Sequence, residues 1–188
     1  MKKIAASILM IFAFITVVYG AYLPFMKSRL FIAAIQVKIG GIDQFQAIYD
    51  KVINFPSFIG DEEIIKYLLN NVDVWIANEK DLQREIIMRE MVAYIEPKIF
   101  INNPRHFLLM ANVYNNFWLK FKKQEDLEKA VDYYEKILKI GPRLPHALYS
   151  LMSLYVQAGM KKEAKEVGER ILAIWPNDAD VRSIVSSY

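Results

Sequence analysis

The stretch AGMKKEAKEVGERILAIWP, residues Ala158–Pro176, decides the fold because a related segment lies upstream of it. The segment KAVDYYEKILKIGP, Lys129–Pro142, aligns with Glu163–Pro176 without a gap, at an offset of about 34 residues. An internal repeat of this length predicts helical hairpins that stack side by side. Small, apolar and closing residues coincide in the two copies: Ala130 with Ala164, Glu135 with Glu169, Lys136 with Arg170, Ile137 with Ile171, Leu138 with Leu172, Ile140 with Ile174, and Pro142 with Pro176.

A more distant copy of the first helix of the hairpin begins further upstream. Asn103 followed by Pro104 suits a helix N-cap with proline at the first helical position. This copy is roughly seven residues longer than the second, and insertions usually fall in connections, so we expect a longer connection around Phe117–Asp126. A shift of about 41 residues superimposes four positions: Pro104 on Pro145, Phe107 on Leu148, Met110 on Leu151, and Tyr114 on Tyr155.

The second copy shows what the repeated positions do. Gly159 can end the first helix, because glycine tolerates the left-handed conformation that follows a helix C-terminus. Ala164 is small where two antiparallel helices approach closely. Together with Leu148, Leu151, Met152, Tyr155 and Pro176, these residues resemble the tetratricopeptide repeat, over about 85 residues of the chain. The resemblance implies a solenoid of helix pairs that binds proteins or peptides.

Two features at the end of the repeat region depart from a regular array. Gly168 stands where the family usually has a large apolar residue, and where the first copy has Tyr134. The tail NDADVRSIVSSY is similar to a truncated third unit, with Val181 and Val185 covering the end of the array. Trp175, beside the closing proline, is interpreted as a packing residue rather than as a ligand platform.

The N-terminus has a pattern of its own. After Lys2 and Lys3, the chain carries no charge until Lys27, a run of about 23 residues that is long enough to cross a hydrocarbon core of about 30 Å as a helix. We interpret this run, residues 4–26, as a membrane anchor. The alternatives are a signal peptide cleaved after Gly20 and a buried core helix.

The flanks of this span predict its contacts with the membrane. Tyr19, Tyr22 and Phe25 suit an interfacial aromatic belt, and Lys27 and Arg29 are expected to extend to lipid headgroups. Positive charge is nearly balanced between the two ends, so the orientation rests on the signal-anchor pattern. That pattern places the bulk of the chain outside the cytoplasm of a bacterial-type cell, in a single-pass membrane protein.

Bulk composition and periodicity set the fold class. The chain has 188 residues, of which 54% are hydrophobic and 24% charged, enough for one packed domain with a short attachment. Apolar residues recur at helical spacing after the span, without the alternation of a sheet. We therefore predict an all-α protein: a transmembrane signal anchor in residues 1–26, linker helices in 27–102, and a tetratricopeptide array of two repeats plus a capping helix in 103–188.

A wider resemblance extends over the N-terminal half. An apolar span, then PFMKSRLFIAAIQ, FPSFIGDEEIIKYL and NNPR, is similar to the C-terminal part of bacterial O-antigen ligase-like membrane proteins. In that family the last membrane helix leads through linker helices into tetratricopeptide repeats. The resemblance implies a fragment or accessory paralogue of a cell-surface glycan assembly protein, without the catalytic membrane part.

The sequence gives little support to enzymatic chemistry. The chain has no cysteine, and its two histidines, His106 and His146, belong to no cluster with the spacing of metal ligands. Nucleophile-elbow, phosphate-binding and dinucleotide glycine motifs do not occur. A net charge of +3 argues against a nucleic-acid partner. We predict neither an enzyme nor a cofactor or metal site.

The remaining candidate is the groove lined by the first helices of the repeats, which suits a protein or peptide partner. Its expected lining includes Leu108, Asn115 and Val156. Asn112 fits a carboxylate clamp for a chaperone tail, but Leu108 and Ser153 do not. The alternative is an ordinary solvated face. The predicted peptide-binding residues are Arg105, Asn112 and Asn116 in the first repeat, and His146, Tyr149, Ser153 and Gln157 in the second.

Overall fold

A computed structural model of the protein describes residues 2–188, which contain helices and no strand. This confirms the all-α prediction. Ten α-helices follow in order: α1 Lys2–Val17, α2 Leu23–Ile35, α3 Ile42–Ile53, α4 Asp61–Asn78, α5 Glu85–Ile95, α6 Pro104–Phe121, α7 Gln124–Ile140, α8 Pro145–Gln157, α9 Lys161–Ile174 and α10 Ala179–Ser186. Short 3₁₀ turns, Leu82–Arg84 and Glu96–Lys98, flank α5.

The helices form two compact units. The first comprises the residues up to Val72 together with Lys80–Ile99, and the second comprises Asp73–Glu79 and Phe100–Tyr188. Helix α4 therefore contributes residues to both units. The predicted boundaries after residues 26 and 102 separate an anchor, a linker and a repeat array. The compact units do not test these boundaries, which stay a prediction.

A π-helical turn, Val18–Tyr22, joins α1 to α2 without a break. The continuous helix from Lys3 to Ile35 has 33 residues and is long and apolar enough to cross a membrane, and its most apolar stretch is not buried in the protein. Helix length and composition are thus compatible with an anchor. The segment MKSRLFIAAIQVKIGG, residues 26–41, predicts a separate short helix stopped by Gly40 and Gly41. In the structure this segment instead continues the apolar N-terminal helix, which ends at Ile35.

In the first unit, the end of this helix packs against α3 and contacts Tyr67 of α4, and α3 packs against α5. Phe31 and Ala34 of α2 are buried, as is Phe45 of α3, whose ring contacts Tyr49 and Tyr94 at centroid distances of 4.7 and 5.6 Å. The Tyr94 hydroxyl donates a hydrogen bond of 2.6 Å to Asp50 Oδ1. Aromatic pairs of this kind fix the relative position of α3 and α5.

Lys27 does not extend to lipid headgroups, so that prediction is wrong for this residue. Its side chain is only 1% exposed. The ammonium group donates to the carbonyls of Ile53 and Phe55, at 3.3 and 3.2 Å, and pairs with Asp61 Oδ1. These three acceptors satisfy the buried charge. Arg29, two residues further on, is exposed, and its contact with headgroups stays a prediction.

The second unit contains the predicted repeat. Helices α6 and α7 form one hairpin, α8 and α9 form the next, and α10 packs on α9. Ala130 and Ala164 are both fully buried where second helices cross first helices, in agreement with the alignment of the two copies. The Asn103 side chain caps α6 by accepting a hydrogen bond from the Arg105 amide.

The extra length of the first repeat lies in its helices, so the predicted longer connection is wrong. Helix α6 has 18 residues against 13 in α8, and α7 has 17 against 14 in α9. The connection between α6 and α7 is only Lys122 and Lys123. Lys122 takes the left-handed conformation, φ 56°, which Gly159 provides in the second repeat with φ 72°.

The unusual Gly168 lets α10 approach α9. A Cβ atom at this position would lie 2.4 Å from Val185 Cγ2, and Val181 Cγ1 and Met152 Sδ are also within van der Waals distance. Val181 is buried, so α10 covers the end of the array as the tail pattern predicts. A large side chain here, like that of Tyr134 in the first copy, would occupy the space that α10 fills.

We expect Gly168→Leu to detach α10. Leucine is the better helix former, but it overlaps Val185, and overpacking of this kind typically costs about 1–3 kcal/mol. Amide hydrogen exchange across Ala179–Ser186 should accelerate, while α6 and α7 stay protected. Repeating the substitution with Val185→Ala tests the cause, because the added space should reduce the penalty. An equal penalty in both backgrounds would contradict this explanation.

Candidate peptide-binding surface

The predicted groove residues form two stripes at helical spacing. Arg105, Asn112 and Asn116 lie along α6, and we call them the first-repeat stripe. The second-repeat stripe lies along α8 and consists of His146, Tyr149, Ser153 and Gln157. Arg105, Asn112 and Asn116 correspond in the repeat to His146, Ser153 and Gln157, and Tyr149 corresponds to Leu108. The structure gives the two stripes different surroundings.

Side chains of the protein itself engage most of the first-repeat stripe. Asn112 Oδ1 accepts a hydrogen bond of 2.9 Å from the hydroxyl of Tyr134. The amide of Asn116 donates at 2.8 Å to Asp73 Oδ1, and Arg105 alone is exposed. One polar atom of each asparagine, Asn112 Oδ1 and Asn116 Nδ2, thus already has an internal partner, and their role in peptide binding stays a prediction.

Residues 73–79 of α4 cover this part of α6. The ammonium group of Lys120 donates to the carbonyls of Ile76 and Glu79, at the C-terminal end of α4. Such a contact satisfies helix-end carbonyls and complements the helix dipole. Burial raises the pKa of Asp73, and the hydrogen bond from Asn116 opposes that rise. The predicted groove of the first repeat is therefore partly occupied by the chain itself.

The second-repeat stripe is more open. His146, Ser153 and Gln157 are exposed, and Tyr149 is half-buried. Gln157 Nε2 donates to Ser153 Oγ at 2.9 Å, an exposed hydrogen bond that water or a ligand can replace. The three exposed residues lie one or two turns apart along α8.

Tyr149 also belongs to an open cleft of about 430 Å³ in the second unit. Its ring packs against that of Trp175 at a centroid distance of 5.8 Å, and its hydroxyl donates to Asp178 Oδ2. Trp175 is half-buried, so it packs, as predicted, and also lines the cleft. The remaining lining residues are Ile174, Pro176 and Asn177.

Asp178 is a cleft residue that sequence reasoning missed. It caps α10 by accepting a hydrogen bond of 3.0 Å from the Val181 amide. Hydrogen bonds from the Tyr149 hydroxyl and from this amide hold the pKa of Asp178 below its ordinary value. The hydrogen bond between Tyr149 and Asp178 also raises the pKa of Tyr149. The signal was present in the tail, where an aspartate stands three residues before the buried Val181 and reads as an N-cap.

A buried polar group, Tyr134, lies beneath the first-repeat stripe. Besides its bond to Asn112, its oxygen interacts with Ser150 of α8, so it links three helices. Burial, chiefly, raises the pKa of Tyr134 to about 12; Ser150 opposes the rise, and the negative charge of Asp73 adds to it. This side chain ties the first repeat to the second.

We expect this burial to make the second unit sensitive to alkali. Since the pKa of Tyr134 is higher in the folded chain, its contribution to stability is complete below pH 10 and is lost as the pH rises towards 12. Melting temperatures followed by circular dichroism should fall over that range, and Tyr134→Phe should flatten the fall. Tyr188→Phe, at the exposed C-terminus, is the control. An unchanged slope in the Tyr134 variant would contradict the assignment.

The two histidines have different roles. His106 is buried, and its Nδ1 accepts a hydrogen bond of 3.0 Å from the Phe100 amide, while its ring contacts that of Phe100. His146 lies exposed on the second-repeat stripe. Among residues 2–188, no three histidine, aspartate or glutamate side chains group as metal ligands. His106 thus has a structural role at the start of α6.

Comparison with known families bears on the repeat region. The sequence model of the tetratricopeptide repeat family matches residues 122–188, which include α7 to α10. It begins after α6, so the first helix of the first predicted repeat lies outside it. The match gives no support to the resemblance to O-antigen ligase-like proteins, whose motifs lie upstream. Residues 122–188 therefore carry a tetratricopeptide repeat, and the described part of the chain is helical, with an apolar helix at its N-terminal end.

Proposed function

We propose that the protein is a membrane-anchored scaffold that holds a partner protein through an extended peptide bound along α8. Tetratricopeptide repeats are interaction modules, and stacked helix pairs offer a surface for extended peptides. The observation that carries the proposal is the open second-repeat stripe. His146, Ser153 and Gln157 are exposed there, beside a cleft, whereas Asn112 and Asn116 of the first repeat have internal partners.

The chemistry of the cleft defines the ligand. Tyr149 and Trp175 offer aromatic surface, and Asp178 places a carboxylate at its edge. Aromatic faces with an adjacent carboxylate suit a cationic side chain, whose stem packs on the rings while its charge meets the acid. The proposed ligand is therefore a peptide with a lysine or arginine, and the polar residues of α8 contact its neighbouring backbone.

The second part of the proposal is that the N-terminal helix anchors the protein in a membrane. The apolar helix from Lys3 to Ile35 has the length and composition of a span, and the predicted anchor is residues 4–26. A signal-anchor pattern favours an extracytoplasmic position for the rest of the chain. No observation favours the ligase-fragment alternative or a reaction centre, and repeat arrays are typically non-catalytic.

Site-directed photo-cross-linking tests the surface, because the chain has no cysteine to compete with an introduced one. Ser153→Cys and Gln157→Cys, labelled with a benzophenone maleimide in cell membranes, should give a discrete cross-linked partner band. Glu169→Cys, exposed on α9, is the matched control and should not. Equal cross-linking from all three positions, or none from α8, would reject the proposed surface.

Substitutions in the cleft test whether its side chains bind the proposed peptide. Trp175→Ala and Asp178→Asn should each reduce the Ser153 cross-link, since they remove the aromatic surface and the carboxylate. An intact Ser153 cross-link in both variants would reject the cleft.

The Ser153→Cys protein in intact cells should react with a membrane-impermeant maleimide if the bulk is extracytoplasmic. Protection until the cells are opened would reverse the proposed orientation.

A further inference from the structure

The connection between α3 and α4 contains an exposed apolar pair. We call residues 55–60, FPSFIG, the aromatic loop. Phe58 is 87% exposed and Ile59 is 54% exposed, whereas Phe31, Phe45 and Tyr49 of the same unit are buried. These exposed side chains contribute little to the packing of the first unit, and adjacent exposed apolar side chains are candidates for an interaction site.

The aromatic loop lies along the anchor helix. At one end, the carbonyls of Ile53 and Phe55 accept hydrogen bonds from Lys27, which fixes the base of the loop to the helix. Towards its tip, the ring of Phe58 stacks on Tyr19 at a centroid distance of 5.9 Å and an interplanar angle of 28°. Tyr19 precedes Lys27 by eight residues, or about 12 Å along a helix. The loop therefore extends from Lys27 towards the N-terminal end of the helix.

This position places Phe58 at the depth of the span. A hydrocarbon core of about 30 Å needs about 20 helical residues. Every window of about 20 residues inside the uncharged run Ile4–Met26 includes Tyr19, wherever the window begins. If the run spans the membrane, the ring that contacts Tyr19 lies at membrane depth as well.

Several polar groups of the aromatic loop have hydrogen-bond partners within the loop. Ser57 Oγ donates to the carbonyl of Ile59 at 2.8 Å and accepts from its amide at 3.3 Å. The Ser57 amide donates to the carbonyl of Phe55 at 2.8 Å, and Pro56 has no amide proton. Polar groups satisfied within the loop lower the cost of removing its backbone from water.

From these observations, we infer that the aromatic loop inserts into the lipid leaflet beside the anchor helix. The first unit then has two membrane contacts: the span itself, and a shallow one through Phe58 and Ile59. The ligand is the acyl and headgroup boundary of the leaflet, which takes exposed aromatic side chains readily. The inference rests on the proposed anchorage, and its test separates the two.

Depth-dependent fluorescence in reconstituted vesicles provides the test. The full chain, with Phe58→Cys as its only cysteine, is labelled with the environment-sensitive dye NBD in vesicles of phosphatidylethanolamine and phosphatidylglycerol. Phe14→Cys, in the span, is the positive control, and the exposed Ile86→Cys of α5 is the matched apolar control. Each label is then quenched by lipids that carry a nitroxide on the acyl chain. Circular dichroism verifies that the variants keep their helices.

The expected result is blue-shifted emission and strong quenching at positions 58 and 14, with little of either at position 86. Quenching at position 14 without any at position 58 would overturn the loop insertion and leave the anchor standing, and would favour a protein partner for the loop. Failure at position 14 would reject the anchor, and the loop insertion with it. Equal quenching at 58 and 86 would show general adsorption and also overturn the inference.

Discussion

Replacing Ala164 by tryptophan is expected to unfold the second repeat. Ala164 is fully buried in α9, where α9 crosses α8, and Ala130 occupies the same position in the first repeat. The indole ring has no space there, so either the helices separate or the hairpin fails to form. Overpacking usually costs about 1–3 kcal/mol, and this change in volume is near the extreme, so we expect a loss of about 3 kcal/mol or more.

Thermal melting of the full chain in detergent micelles, followed by circular dichroism, measures this effect. Ala173→Trp is the matched control, since it adds the same side chain to an exposed position of the same helix. The control should melt like the unaltered protein, and hydrogen exchange should locate the loss in α8, α9 and α10. Native melting of the Ala164 variant would mean that the helix crossing is looser than the structure shows.

Reversing the charge of Lys27 is expected to disrupt the first unit. Glutamate would direct a buried carboxylate at Asp61 and at the carbonyls of Ile53 and Phe55, which now accept from the ammonium group. Breaking a buried ion pair typically costs about 3–5 kcal/mol. Asp61 is 43% exposed and can recover some hydration, so the lower part of that range applies.

Arg29→Glu supplies the control for Lys27→Glu. It makes the same change of charge two residues further along the same helix, where the side chain is exposed, and it shifts the balance of positive charge across the span equally. Only the Lys27 variant should expose α3 and residues 54–60 to hydrogen exchange and proteolysis. The same loss in both variants would point to altered membrane topology rather than to a broken contact.

The internal sequence repeat made the helix pairs of the second unit predictable. The correspondences of Ala130 with Ala164 and of Pro142 with Pro176 are local consequences of helix crossing and helix termination, so one sequence contains their cause. Lys122 shows the limit of such reasoning. A lysine in the left-handed conformation is not what the alignment predicts, because Gly159 fills that position in the second copy. The extra residues were therefore assigned to the connection rather than to longer helices.

The sequence predicts which residues lie on the candidate surface, but not which of them already bond to other parts of the protein. Helical spacing identified Asn112 and Asn116 as surface residues of α6, and it could not reveal that Tyr134 and Asp73 would occupy their amides. Asp73 lies about 43 residues upstream of Asn116, and no local pattern connects them. The side chain of Lys27 was predicted wrongly for the same reason, because its partners Ile53, Phe55 and Asp61 are more than 25 residues away in sequence and only the tertiary fold brings them near.

The unbroken path from α1 through the π-helical turn into α2 has a mechanical consequence. If the helix spans a membrane as proposed, it rotates together with the first unit, because the same helix continues from the span into that unit; a flexible tether would let the unit turn independently. Adding one residue between Tyr22 and Lys27 would then turn the lipid-facing side of the helix by about 100° relative to the side that carries Lys27. Under the proposed anchorage, the rotational phase of this helix, and not only its length, sets which side of the first unit faces the bilayer.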